Sequence, residues 1–133
     1  MRYLFDTNMA SYAIKGTHPA LLGRLRSLEV GQVAVSAITQ AELLFGLAKK
    51  AYPARLSEAV EAFLMRVDIL PWDEQVAPVY ARLRATAQSG GAVLAAMDML
   101  IAAHALAADA VLVSADKAFW RLPAELRVED WSV

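Results

Sequence analysis

Residues 2–16, RYLFDTNMASYAIKG, place an acidic residue directly after an apolar run. The apolar run Tyr3–Phe5 is typical of a short buried strand, and Asp6 follows it directly. A helix is predicted immediately afterwards, over Asn8–Ile14. An apolar strand that ends on a carboxylate indicates either a helix cap or an acidic functional site, and the rest of the chain has to distinguish the two.

The length and composition describe a single domain with surplus apolar surface. A chain of 133 residues is expected to form one domain, residues 1–133. Its hydrophobic fraction is 58% and its mean hydropathy is +0.38, so we expect a partner to cover part of the surface. The net charge of −1 gives no overall basic field. With no cysteine, disulfides and thiolate ligands are excluded, as is common for a cytoplasmic protein.

No membrane segment is predicted. The longest apolar tract, residues 92–113, is interrupted by Asp98, His104 and Asp109, whereas a membrane span needs about 18 uninterrupted apolar residues. Asp6 interrupts the amino terminus before a signal peptide could form. We therefore expect a cytoplasmic protein.

Short strands alternate with longer helices along the chain. The five predicted strands are residues 3–5, 32–36, 67–71, 110–114 and 126–131. The predicted helices are residues 8–14, 19–28, 38–51, 54–66, 73–88 and 97–108. This order favours an α/β fold with a mostly parallel sheet, and the continuously apolar strands indicate that both faces of the sheet are covered.

Four acidic residues are expected at one edge of this sheet. Asp6 ends the first strand, and Asp116 follows the fourth. Glu42 lies early in the helix after the second strand, and Asp98 lies in the first turn of the helix at 97–108. Ligands of parallel α/β sheets bind beyond the carboxyl ends of the strands, so this edge is the predicted functional site.

Each acid also has a purely structural interpretation. Asp6 and Asp116 suit the N-caps of the helices that follow them. Thr39 and Glu42 match the T-x-x-E pattern of a capping box, and Asp98 suits the positive end of a helix dipole. Four acids at one edge are nevertheless more than capping requires.

Three stretches resemble PIN-domain ribonucleases of the VapC toxin type, in order and over nearly the whole chain. They are YLFDTNMASYAIKG at 3–16, VAVSAITQAELLFGL at 33–47 and MDMLIAAHALAADAVLVSADKAFWRLPAELRVEDW at 97–131. The resemblance implies a three-layer α/β/α sandwich and metal-dependent cleavage of RNA. It also implies that the catalytic, metal-binding acids are Asp6, Glu42, Asp98 and Asp116.

The chemistry of these residues suits hard divalent cations. Hydrolysis of a phosphodiester needs an activated water and a stabilised leaving oxygen, and Mg²⁺ or Mn²⁺ supplies both from carboxylate sites. His18 and His104 have no metal-ligand spacing, so zinc is not expected. Asn8 and Ser114 are candidates for orienting the acids or a phosphate, but a turn or capping role is favoured for both.

Other polar and aromatic residues have weaker functional signals. Lys15 and Lys117 are the preferred phosphate contacts because they follow the acidic segments. Tyr12 and Trp120 have the chemistry to stack on an unpaired base, but core or interface packing is the favoured explanation. His104 lies six residues after Asp98, on another helix face, and we expect it to be packed and hydrogen-bonded.

The helix at 38–51 is apolar on more than one side. Ile38, Ala41, Phe45 and Ala48 recur at helical spacing, and three leucines, Leu43, Leu44 and Leu47, widen the apolar surface. One side suffices to cover the sheet, so the other is predicted to face a partner. The resemblance implies two such partners, a second copy in a homodimer and a cognate antitoxin.

Three other functions remain open on the sequence. A receiver-type phosphotransfer domain needs an acceptor Asp at the end of its central strand, but Pro71 and Trp72 separate the third strand from Asp73. A DxDx(T/V) phosphohydrolase needs a second acid where Asn8 stands. The last alternative is a non-catalytic PIN fold used for binding, which the presence of all four acids disfavours.

Overall fold

A computed structural model describes all residues, 1–133, as strands that alternate with helices. The strands are β1 (Tyr3–Phe5), β2 (Val33–Ser36), β3 (Asp68–Leu70), β4 (Val111–Val113) and β5 (Val128–Glu129). The helices are α1 (Thr7–Lys15), α2 (Pro19–Ser27), α3 (Ala37–Lys49), α4 (Ala54–Arg66), α5 (Val76–Ser89) and α6 (Ala96–Ala107), and a 3₁₀ helix spans Lys117–Arg121. Every predicted element forms, with its ends displaced by a few residues at most.

The sheet is parallel throughout, with strand order β3-β2-β1-β4-β5. Tyr3 at the start of β1 lies opposite Val33 of β2 and Val111 of β4. The predicted mostly parallel sheet is therefore confirmed, with β1 at its centre.

Alternate strand residues divide the core into two halves. Phe5, Val35 and Val113 point to one face and pack with buried residues of α1, α2, α3 and α4. Leu4 and Leu112 point to the other face and pack with buried residues of α5, α6 and the 3₁₀ helix. These two cores confirm the three-layer α/β/α sandwich.

The expectation that every strand is covered on both faces is wrong for β3. This strand pairs only with β2, and Ile69 at its centre remains 36% exposed. Arg2 donates to Asp68 at 3.0 Å on this edge. Asp73 follows this edge strand, so it is not the central-strand acceptor that the receiver-type alternative requires.

The order of the strands creates a crevice beside β1. The chain winds from β1 to β2 and β3 on one side, and then crosses through α5 and α6 to β4 on the other side. The direction of winding thus reverses between β1 and β4, where parallel α/β sheets place their ligands. The Asp6 amide donates to the Val113 carbonyl at 3.1 Å, so these two strand ends lie side by side.

No helix combines the length and the apolar character needed to cross a membrane.

Candidate active site

Asp6 caps α1 and also contacts the end of β4. Its Oδ1 accepts a hydrogen bond from the Met9 amide at 2.8 Å, as an N-cap residue does. Its Oδ2 accepts from the Ser114 hydroxyl at 2.6 Å. The capping interpretation is therefore confirmed, but it uses only one of the two carboxyl oxygens.

The environment of Asp6 opposes its ionisation. Burial, with smaller contributions from the charges of Asp98 and Asp116, raises the pKa of the Asp6 carboxyl from its ordinary value of 3.8 to about 6. The hydrogen bonds from Ser114 and Met9 favour the ionised form and lower the pKa, but they do not outweigh burial. A carboxyl held in this way is typical of functional sites.

Ser114 links two of the predicted acids. Its buried hydroxyl donates to Asp6 and accepts from the Asp116 amide at 3.0 Å. The contact with the Asp116 amide is the turn contact of the structural interpretation, and the contact with Asp6 agrees with an orienting role for Ser114. Asn8, the other candidate, lies exposed in the first turn of α1.

Asp98 lies half-buried in the first turn of α6. Burial raises the pKa of its carboxyl, and so do the negative charges of Asp116 and Glu42. A helix dipole alone would favour the ionised form at this position. Desolvation and repulsion act in the opposite direction, so the purely structural interpretation of Asp98 explains only part of its environment.

Glu42 does not take part in a capping box. The N-cap of α3 is Ser36, whose hydroxyl accepts from the Ile38 amide at 3.0 Å, so the helix begins two residues before Thr39. Glu42 instead accepts a hydrogen bond from the Thr7 hydroxyl at 2.6 Å, across the gap to α1. The capping-box interpretation is wrong because the buried strand end supplies the cap.

Asp116 is the most exposed of the four acids. Its carboxylate caps the 3₁₀ helix by accepting from the Ala118 amide at 2.9 Å, as the structural interpretation predicts. Its charge nevertheless reaches both Asp6 and Asp98. Asp116 therefore combines a structural and an electrostatic role.

The four predicted acids thus form one electrostatic cluster at the carboxyl edge of the sheet. No three His, Cys, Asp or Glu side chains converge closely enough to enclose a metal ion by themselves. The oxygen donors suit Mg²⁺ or Mn²⁺, because such hard cations keep several waters and need only one or two direct carboxylates. The donor set therefore fits a hydrated divalent cation, with part of the contacts made through water.

His104 lies behind this site and not in it. It is buried, and its Nδ1 lies 2.8 Å from the Ser36 hydroxyl oxygen. Burial lowers the pKa of this imidazole, although the charge of Asp73 opposes the change. The prediction of a packed, hydrogen-bonded histidine is confirmed.

The two preferred lysines lie at different distances from the acids. Lys117 directly follows Asp116 and is exposed, next to the half-exposed Trp120 in the same 3₁₀ helix. Lys15 ends α1, which begins at Thr7, so it lies about 12 Å along the helix axis from the acidic edge. Tyr12 stacks on His18 with ring centroids 4.1 Å apart, which agrees with a packing role. Lys117 is therefore the better placed of the two cations.

Thr7 is a residue of this site that the sequence did not single out. Its hydroxyl contacts Glu42, and its Oγ1 lies 3.2 Å from that of Thr39. The signal was available, since Thr7 follows Asp6 directly and Thr39 precedes Glu42 by one helical turn on the same face. Only the contact between α1 and α3 shows that these positions meet.

The chain matches known proteins along nearly its whole length. The PIN domain family matches residues 3–125. Ribonuclease VapC2 of Haemophilus influenzae is 34% identical over 131 residues, which cover 98% of each chain. The tRNA(fMet)-specific endonuclease VapC of Shigella flexneri is 30% identical over 132 residues, which cover 99% of each chain.

A solved structure shares the fold as well. A chain from the crystal structure of VapBC2 from Rickettsia felis, bound to a DNA fragment from their promoter, superposes with a TM-score of 0.91 at 31% identity. The match covers 98% of this chain and 99% of that one. With these likenesses added to the parallel sheet and its acidic edge, the chain belongs to the PIN domain family, within the VapC group of ribonucleases.

Proposed function

We propose that this protein is a divalent-metal-dependent endoribonuclease that acts as the toxin of a toxin–antitoxin pair. The observation that carries the proposal is the cluster of Asp6, Glu42, Asp98 and Asp116 at the crevice between β1 and β4, where burial and, to a lesser extent, mutual repulsion raise the pKa of Asp6 and Asp98. The names of the VapC relatives support the same reaction class.

Each acid has a distinct part in the proposed reaction. Asp6 and Glu42 are held by Ser114 and Thr7, so they offer fixed carboxylates to a cation. Asp98 is held by no such contact and completes the set from α6. A bound Mg²⁺ or Mn²⁺ would activate water and neutralise charge on the phosphate. Asp116, the most exposed acid, is proposed as a ligand or as a base beside the site.

Substrate binding needs positive charge near an acidic site. Lys117 lies beside Asp116, and the half-exposed Trp120 follows it in the same short helix. We assign a phosphate contact to Lys117 and base stacking to Trp120, since salt-sensitive phosphate contacts and aromatic stacking are the usual means of holding single-stranded RNA.

The proposed partners are a cognate antitoxin and a second copy of the chain. The Rickettsia felis likeness is to a VapBC2 complex on promoter DNA. An arginine of the antitoxin would pair well with the carboxylates of the acidic site, and such an insertion would block the cation and the RNA together.

An RNA-cleavage assay tests the proposed reaction. Purified wild type should cleave RNA with Mg²⁺ or Mn²⁺ and stop in excess EDTA. Asp6→Asn, Glu42→Gln and Asp98→Asn should each lose roughly 100-fold or more in rate. Asp116→Asn should lose less, because a neutral oxygen can partly replace its carboxylate.

Two control variants separate a site effect from a general loss of charge. Asp109→Asn removes a carboxylate that precedes β4, at the opposite edge of the sheet, and Glu58→Gln removes an exposed one on α4. Both should cleave like wild type. Full cleavage in excess EDTA, by protein free of contaminating nuclease, would refute the metal requirement. Sequencing RNA ends after induction of wild type and of Asp6→Asn would identify the substrate.

A further inference from the structure

Two threonine hydroxyls lead to the carboxylate of Glu42. The Thr7 Oγ1 lies 2.6 Å from Glu42 Oε1, and the Oγ1 atoms of Thr7 and Thr39 lie 3.2 Å apart. Thr39 is fully buried, and Thr7 and Glu42 are partly buried. The three groups therefore form a hydrogen-bonded series that ends at a predicted metal ligand.

The donor and acceptor of each hydrogen bond in this series can be assigned. A threonine hydroxyl carries one proton and two acceptor lone pairs, while an ionised carboxylate only accepts. Thr7 donates its single hydroxyl hydrogen bond to Glu42, so Thr39 donates its own to the Thr7 oxygen. Hydrogen bonds in series polarise one another, and the last is strengthened by the negative charge of its acceptor.

This hydrogen-bonded series joins α3, which carries Glu42, to the start of α1, next to Asp6. Thr7 follows Asp6 directly and opens α1, whereas Thr39 and Glu42 share one face of α3. A glutamate side chain has considerable rotamer freedom when nothing holds it. The contact with Thr7 removes much of that freedom and sets the carboxylate at a fixed position relative to Asp6.

We propose that Thr7, supported by Thr39, is a positioning residue that aims the Glu42 carboxylate at the divalent cation. This inference rests on the proposed function, since it assumes that Glu42 is a metal ligand. Groups that orient a ligand in this way commonly change metal affinity 10–100-fold when they are removed.

The test measures binding of Mn²⁺ alone, without RNA, from the electron paramagnetic resonance signal of the free ion. Thr7→Val keeps the side-chain shape and removes the hydroxyl, and it should weaken Mn²⁺ binding about 10–100-fold. Thr7→Ser keeps the hydroxyl and should bind nearly as tightly as wild type. Thr86→Val, on the exposed side of α5, is the matched control and should have no effect.

A double-mutant cycle separates positioning from a general structural role. If Thr7 acts through Glu42, then Thr7→Val should weaken Mn²⁺ binding no further when Glu42→Gln is already present. Additive losses in the double mutant would overturn the inference, because they would mean that Thr7 acts on the site by another route.

The outcomes distinguish this inference from the proposed function. Wild type that fails to bind Mn²⁺ would overturn the metal-dependent function itself. Wild type that binds, together with Thr7→Val that binds equally well, would overturn only the role of Thr7. The role would also be overturned if Thr7→Ser lost as much affinity as Thr7→Val. Melting curves in EDTA establish that each variant is folded; should Thr7→Val not fold, Thr39→Val takes its place, with a smaller loss expected.

Discussion

At the scale of the residue, Asp6 meets two opposing demands. Its hydrogen bonds from Met9 and Ser114 are strongest to an ionised carboxylate. Its burial and the charges of Asp98 and Asp116 favour the protonated form. An ionised carboxylate in this position destabilises the folded state at neutral pH, and a bound cation would offset that destabilisation.

Asp6→Asn tests this balance through stability. The folded pKa of about 6 lies above the ordinary 3.8, so between these pH values the folded state binds more protons than the unfolded state. The stability that this carboxyl contributes is therefore present below pH 4 and lost as pH rises through about 6. The difference between the two pKa values corresponds to an upper limit of roughly 3 kcal/mol.

In EDTA at pH 8, we therefore expect Asp6→Asn to be more stable than wild type by about 1–3 kcal/mol, since the asparagine oxygen still accepts from Met9. At pH 4 the two proteins should be nearly equal. Urea unfolding at both pH values measures this, and an asparagine variant that is clearly less stable at pH 8 would show that capping outweighs burial.

Asp98→Asn provides a second test at this scale. Burial and the charges of Asp116 and Glu42 raise the pKa of Asp98, so removing its charge in EDTA at pH 8 should leave the protein as stable as wild type or more so. Cleavage of RNA should fall roughly 100-fold or more. A helix N-terminal acid with no other role would instead cost roughly 0.3–1 kcal/mol on substitution. Thermal melts in EDTA separate the two results.

At the scale of the element, α3 has three different sides. Leu43 and Leu47 are buried against the sheet and its neighbours, and Glu42 points toward α1. Leu44 is 43% exposed and Phe45 is 65% exposed. The apolar surface predicted to face a partner is therefore formed by Leu44 and Phe45, and Leu47 belongs to the core.

This division predicts opposite results for two glutamate substitutions. Phe45→Glu should change stability by no more than about 0.5 kcal/mol, because the site is exposed. It should weaken self-association or antitoxin binding about tenfold or more, as expected for an aromatic anchor. Leu47→Glu should instead destabilise the fold by roughly 3–5 kcal/mol, because it buries an uncompensated charge.

Analytical ultracentrifugation and urea unfolding measure these two effects separately. Gln88→Glu adds the same charge on the exposed side of α5 and serves as the control. A protein that is monomeric as wild type, and whose antitoxin binds Phe45→Glu equally well, would contradict the assignment of this surface.

At the scale of the whole molecule, the sheet topology assembles the site from distant parts of the chain. Asp6 and Ser114 are 108 residues apart in sequence, yet their side chains are hydrogen-bonded. The reversal of winding beside β1 brings the ends of β1 and β4 together, and α3 and α6 add their acids from the two sides. A cation bound here would connect all of these elements.

Metal should therefore stabilise the whole fold. A ligand that binds only the folded state adds about 2.7 kcal/mol at a hundredfold excess over its dissociation constant. We expect Mg²⁺ or Mn²⁺ to raise the melting temperature of wild type and to have much less effect on Asp6→Asn. Melting curves with and without metal at pH 7.5 provide the measurement, and a wild type indifferent to both ions would contradict it.

Much of this architecture follows from local sequence. Apolar runs such as Tyr3–Phe5 specify buried strands, and the alternation with helices specifies a parallel sheet, because parallel strands need long crossovers. The carboxyl edge of that sheet then locates Asp6, Glu42, Asp98 and Asp116. These features depend on periodicity and element order, which neighbouring residues in the sequence specify.

The predicted capping box of Thr39 and Glu42 was wrong because it rested on local sequence alone. A local pattern cannot report that the buried hydroxyl of Ser36, at the end of β2, already caps α3. The sequence likewise did not predict the buried position of Leu47 or the exposed edge of β3. Both depend on which surfaces meet after folding.

Local sequence thus predicted the elements and their parallel arrangement, and it predicted that four acids meet at one edge of the sheet. Tertiary structure alone decided which groups hold them: Ser114 for Asp6 and Thr7 for Glu42. It also decided that burial, more than neighbouring charge, raises the pKa of Asp6. The physical reason is that hydrogen bonds and desolvation act over a few ångströms in space, between residues that may be more than a hundred positions apart in the chain.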